Sequence, residues 1–160
     1  MTQLHGAERR TDDADDIRAN NLFVSVDRKQ TYQVVFANGS FYNVSVINLP
    51  FGLRFTAFLK GLYESAGKVL SLEFVSLKLR LGGLSQVEET VKRAEAHKLI
   101  GLVDFPGGAR KPNGPVGVKG EIETLYIDEN LRIDIGQNLD DGVQDLFVLV
   151  RSPNTSSLAD

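Results

Sequence analysis

Apolar and polar positions alternate with a period of two along most of this chain, the spacing of strands that set one face against a core. The stretch from Lys119 to Arg151 shows it best. Gly120, Ile122, Thr124 and Tyr126 alternate with Glu121, Glu123, Leu125 and Ile127, and Asp128-Glu129-Asn130 then supplies a turn. Leu131, Ile133 and Ile135 share one face, with Arg132 and Asp134 on the other. Gly136 to Gly142 reads as a second polar turn, and Leu146 to Val150 as a continuous apolar strand. Three strands in an antiparallel meander result, and their apolar face needs the earlier strands to complete a sandwich or barrel.

Those earlier strands are visible. Leu22 to Val26 has strand character, followed by a turn at Asp27-Arg28-Lys29-Gln30. Tyr32, Val34 and Phe36 resume the alternation. Asn38-Gly39 sits between two apolar runs and predicts a hairpin whose returning strand, Phe41 to Ile47, carries Tyr42, Val44 and Val46 on one face. Leu53 to Glu64 fits both periods: Leu53, Phe55, Ala57 and Leu59 suit a strand, while Phe55, Phe58, Leu59 and Leu62 suit a helix. In Val69 to Leu81 the parity slips. Leu70, Leu72 and Phe74 share a face, then Leu77, Leu79 and Leu81 do. One extra residue at Val75-Ser76, a β-bulge, would restore a common face and predicts that Leu72, Phe74, Leu77 and Leu79 are all buried.

One segment has a helical period. From Ser85 to about Ile100, Ser85 with Glu88 forms a capping-box pattern, and Val87, Val91 and Ala94 make a thin apolar stripe for a helix laid on a sheet. A Gly/Pro-rich loop covers 101–118. The polar stretch 1–19 reads as a disordered tail and 153–160 as a polar C-terminal tail, which leaves 20–152 as one domain. The first 21 residues are acidic and resemble neither a secretory signal nor a transit peptide.

Composition narrows the chemistry. A net charge of −3 gives no general attraction to nucleic acid. With no cysteine among its 160 residues, the chain has no thiolate chemistry or disulfides. No apolar run approaches the ~20 residues that span a bilayer as a helix. His5 and His97 read as solvated, and Asp12, Asp13, Asp15 and Asp16 lack the glycine and distal glutamate of a calcium loop. Gly107-Gly108-Ala109-Arg110-Lys111 lacks the following Lys-Ser/Thr of a phosphate loop. Asp140, Asp141 and Asp145 suit a solvated turn. No nucleophile, metal cluster or cofactor loop stands out, so the expectation is a protein without enzymatic activity and without a cofactor.

The pattern Leu125-Tyr126-Ile127-Asp128, then Leu131-Arg132-Ile133, Gly136, and Leu146-Phe147-Val148-Leu149 resembles the C-terminal signature of the plastid lipid-associated proteins, the fibrillins. Leu72 to Leu84 is similar to that family's Phe-x-Ser-x-x-Leu-Gly-Gly region. The expected fold is mainly β: an antiparallel, lipocalin-like barrel or strongly curved sheet with one surface α-helix. The resemblance implies binding or sequestration of prenyl lipids, carotenoids, quinones or acyl lipids at plastid membranes, peripheral to the thylakoid or plastoglobule. Candidate ligand-binding residues are Phe36, Tyr42, Phe55, Phe58, Phe74, Tyr126, Asp128 and Arg132. Asp128 and Arg132 flank a turn, where they would either pair to lock it or orient the polar end of a lipid at a barrel mouth. The competing reading is a protein-assembly or adaptor subunit that uses an exposed strand edge or apolar patch.

Overall fold

The computed structural model describes residues 2–7, 25–105 and 114–151, with only the backbone at 2–7 and 25–29. Its strands are β1 (Thr2–Ala7), β2 (Ser25–Val35), β3 (Ser40–Asn48), β4 (Arg54–Ala66), β5 (Val69–Leu81), β6 (Val103–Asp104), β7 (Lys119–Ile127), β8 (Leu131–Asn138) and β9 (Gln144–Arg151). The helix α1 (Val87–Glu95) lies between β5 and β6. All pairings are antiparallel. β2, β3, β4, β5, β7, β8 and β9 curl in that order into a half-barrel, and β1 pairs with both β9 and β2 at its open side. The fold is the mainly β, strongly curved sheet with one helix that the sequence predicts.

Several elements follow from local chemistry. The β2–β3 hairpin turns through Ala37-Asn38-Gly39, with the Phe36 amide on the Ser40 carbonyl and Gly39 at φ 83, a conformation glycine adopts without a Cβ clash. The ambiguous segment 53–64 is strand, because β3 and β5 flank it along nearly its whole length. The bulge forms where parity slips: Lys60 pairs with Ser76 and Gly61 with Phe74, which leaves Val75 unopposed. Leu70, Leu72 and Phe74 therefore share a face with Leu77, Leu79 and Leu81.

The curl gives that sheet an inside and an outside. Arg132 of β8 donates a hydrogen bond to Gln33 of β2, although β9 and β1 lie between them. Three strand spacings amount to about 14 Å, so these side chains meet only across the concave side. Register then places Phe41, Asn43, Phe55, Ala57, Leu59, Gly61, Leu72, Phe74, Leu77 and Leu79 inside, and Val34, Tyr42, Val44, Val46, Thr56 and Phe58 outside. α1 covers part of the outer face. Val91 (0% exposed) and Ala94 pack on Val34, Tyr42, Val44 and Phe58, with Phe36, Leu84, Val87, Leu99 and Leu102 around them. This cluster holds most of the fully buried apolar side chains, each worth about 1.5–3 kcal/mol when buried completely.

The structure corrects several expectations. Asp27 to Gln30 is not a turn; the strand runs through, with a register shift between Asp27 and Thr31. Thr2–Ala7, assigned to the tail, forms β1, since the facing edges of β9 and β2 offer backbone partners whatever the side chains. The helix is shorter than 85–100. Gln86 caps it in a left-handed conformation (φ 47), no side chain caps it, and the Ser85–Glu88 box does not form; the Ser85 carbonyl instead accepts the Thr90 hydroxyl. Leu72, Phe74, Leu77 and Leu79 are half-buried, because they line a concave surface instead of a filled core. In β8 the polar set points inward, as Asp134 (1% exposed) and Arg132 show. Gly136 lies in that strand beneath Phe147, not in a turn. Part of the 101–118 loop is built on β5: β6 pairs with Lys78 and Leu79, and the Phe105 amide reaches the Leu77 carbonyl. The acidic cluster at 12–16, the Gly107–Lys111 segment and the C-terminal tail at 153–160 fall outside the described residues.

Gly61 exists to admit the Phe41 ring, which passes over it to reach Phe74 at 5.7 Å between centroids. A Cβ on Gly61 would sit 2.2 Å from the ring. Gly61→Ala is expected to cost about 1–3 kcal/mol in urea denaturation, the usual range for overpacking. Adding Phe41→Leu should recover part of that loss; simple additivity of the two changes would refute the contact.

Candidate functional site

The concave face has two chemically different walls. On β4 and β5, Phe55, Ala57, Leu59, Phe74, Leu77 and Leu79 form an apolar wall, half-buried and open to the hollow of the curl. Across the curl β2 and β8 present polar groups, and Asn43 and Ser45 of β3, paired with Leu59 and Ala57, join them at the edge of the apolar wall. Gln33 donates to Asn43 (3.2 Å), Ser45 to Thr31 (3.3 Å), and Arg132 reaches Gln33. Asp134 accepts from Thr124 (2.9 Å) and lies 2.7 Å from Arg132 Nε. A carboxylate this deeply buried stands only because a guanidinium and a hydroxyl surround it; removing either partner would leave a desolvated charge.

The candidate residues divide between the two faces. Phe55, Phe74 and Arg132 are on the concave side. Tyr42 and Phe58 are in the core under α1, and Phe36 packs at its edge, 6.1 Å edge-on from Tyr42. These three fill space instead of lining the trough. Tyr126 is 48% exposed because a register shift between Thr124 and Tyr126 reverses its side. Asp128 is also exposed and does not pair with Arg132. It accepts the Asn130 and Leu131 amides and the Tyr126 hydroxyl (2.7 Å), and so locks the β7–β8 turn. That hydroxyl holds the Asp128 carboxyl below its ordinary range, and the carboxylate pushes Tyr126 up in return.

The mouth of the trough is apolar. Pro50-Phe51-Gly52 makes one turn of 3-10 helix between β3 and β4, with Phe51 at φ 64 and fully exposed. An aromatic residue in the left-handed region is strained by about 1–3 kcal/mol. Leu81, exposed, lies on the concave side of the same rim, paired with Phe55, and Leu53 just before β4 is exposed as well.

Sequence reasoning missed a second polar centre. Glu95, the last residue of α1, gathers Tyr42 Oη (2.8 Å), Lys60 Nζ (2.9 Å), Ser40 Oγ (3.0 Å) and Asn38 Nδ2 (3.1 Å). A carboxylate at a helix C-terminus opposes the helix dipole, and that is the signal that could have revealed a dedicated partner set. Burial alone would raise its pKa, but the bonds from Lys60, Asn38, Tyr42 and Ser40 outweigh it and bring the carboxyl from 4.5 down to about 2. Burial, then the Glu95 bond, pushes the Tyr42 hydroxyl up. Among the described residues no group of three or more His, Asp or Glu side chains is placed to hold a metal ion, and no helix is long and apolar enough to cross a membrane.

Because the folded pKa of Glu95 is depressed, its stabilisation is complete above pH 4.5 and is lost as pH falls from about 4.5 to about 2. The loss should be about 2 kcal/mol, read as a falling urea midpoint over that window. Glu95→Gln should show a lower midpoint at pH 7 and a flatter profile below pH 4.5; parallel profiles would rule out the clamp.

The chain was compared with protein-family profiles, with curated proteins and with solved structures, and no match was found in any of them.

Proposed function

We propose that this domain binds a single amphiphilic lipid in its concave trough and performs no chemistry on it. The observation that carries the reading is the pairing of two unlike surfaces: a half-buried apolar surface from Phe55 to Leu79 faces Gln33 and Arg132 across the curl, with Asn43 beside Leu59 where the two meet. A chain or ring system lies along the first, and a carbonyl, hydroxyl or carboxylate head meets the second. Apolar contact at about 25 cal/mol per Å2 supplies attraction, offset in part by ordering costs. The exposed Phe51, Leu53 and Leu81 at the mouth suit exchange with a lipid surface. The fibrillin-like motif narrows the ligand to prenyl lipids, carotenoids, quinones or acyl lipids, and the setting to plastid membranes or plastoglobules.

One observation favours protein assembly instead. β7 pairs with β5 only from Lys119 to Glu123, and beyond that point Leu125, Tyr126 and Ile127 are exposed along its edge. On that reading Ile127→Lys abolishes a concentration-dependent dimer or hetero-complex in analytical ultracentrifugation.

The lipid reading is tested by titrating the purified protein with a fluorescent polyene fatty acid, beside a filled-core protein of similar size. Saturable uptake is expected. Phe55→Asp should weaken it by at least about tenfold, a change of roughly 1.4 kcal/mol, with circular dichroism unchanged. Phe36→Asp, on the outer face, would disturb the core under α1 and so makes a poor probe; Lys92→Ala, on the exposed side of α1, should have no effect. Uptake no tighter than by the control protein would overturn the reading.

A further inference from the structure

A cavity of about 200 Å3 lies on the other side of the sheet, between its outer face and the end of α1. Its floor is set by strand register: Tyr42, Lys60 and Ser76 lie side by side across β3, β4 and β5, with Phe58 and Lys78 in the next row. Ala94, His97, Leu99 and Leu102 form the roof. The opening has a local cause. After Glu95 the chain turns through His97 at φ 55, and the Lys98 and Leu99 amides fold back onto the Arg93 carbonyl. The chain then passes over the sheet until β6 rejoins β5, and the roof stands off the floor.

The lining is apolar on one side (Phe58, Ala94, Leu99, Leu102) and cationic on the other. Of its two ammonium groups, Lys60 is held by Glu95 at 2.9 Å. Among the described residues Lys78 has one loose pair, 3.6 Å from Asp104, whose side chain is 85% exposed. His97 and Ser76 are the remaining polar groups on the lining besides the Tyr42 hydroxyl, which points to Glu95. A cationic guest would meet two lysines, and a neutral apolar guest would leave Lys78 without an added partner. The size excludes a long chain: drug-sized ligands occupy roughly 300–1,000 Å3, whereas a cavity of about 150 Å3 takes benzene.

We propose that this cavity binds a small organic carboxylate with an apolar body about one aromatic ring in size, its carboxylate on Lys78 and its body against Phe58, Leu99 and Leu102. The site is separate from the trough, since its floor residues have the opposite parity along β3 and β4.

The test is a titration of the full chain with phenylacetate, phenylacetamide and hexadecanoate, followed by the NMR amide shifts of Ala94, Leu99 and Leu102. Phenylacetate should saturate these shifts. The amide should bind about tenfold more weakly, the worth of one charge-assisted contact, and Lys78→Gln should weaken phenylacetate by a similar factor. Lys119→Gln, a lysine on β7 outside the lining, should change nothing. If Lys78→Gln fails to fold, the acid–amide comparison on the native protein decides. Equal binding of acid and amide, absence of saturation at millimolar phenylacetate, or shifts confined to Phe55 and Leu79 would overturn the proposal. The last outcome would leave the trough reading standing, and loss of polyene uptake with intact phenylacetate binding would do the reverse.

Discussion

The extra residue at Val75 is the constraint on which the curved sheet depends. A strand of thirteen residues cannot keep one face inward around a tight curl without bending, and a bulge supplies the bend while preserving which side chains face the hollow. Without it, Leu70, Leu72 and Phe74 would point outward whenever Leu77, Leu79 and Leu81 pointed inward. Two closely fitted glycine contacts tighten the same curl. Gly61 lets the Phe41 ring cross from β3 towards β5, and Gly136 gives the Phe147 ring its place.

The sheet carries two different environments as a result. Outside, α1 seals a dry apolar cluster, and Glu95 ties the helix to the β2–β3 hairpin, β3 and β4 through four contacts. Inside, apolar side chains are left half-covered opposite polar ones. The interior apolar wall is less completely buried than the outer cluster, the reverse of the usual arrangement in a small domain, and the covering helix supplies much of the core.

Much of this was legible from local pattern. The Asn38-Gly39 hairpin, the parity slip at Val75-Ser76 and the Val87-Val91-Ala94 stripe each depend on neighbours within a few residues, and sequence periodicity reports such neighbours directly. What it could not report were partners brought in from elsewhere in the chain. Asp134 faces inward because Thr124 and Arg132 meet it there, so the apolar Leu131, Ile133 and Ile135 misled. The eight candidate site residues were chosen largely by type. Register alone decides that Phe55 and Phe74 line the trough while Phe36, Tyr42 and Phe58 do not. Ser85 with Glu88 had the letters of a capping box, but Gln86 enters the helix from a left-handed conformation that prevents it.

β5 also has a divided outer edge: β7 pairs with its first half, β6 with its second, and Phe105 and Gly117 bind its backbone at Leu77 and Phe74. These attachments lie on either side of the bulged residue Val75. Strand pairing is interrupted beside the bulge without leaving its backbone groups unbonded, since the Phe74 and Leu77 carbonyls and the Phe74 amide are taken up by Gly117, Phe105 and Val118.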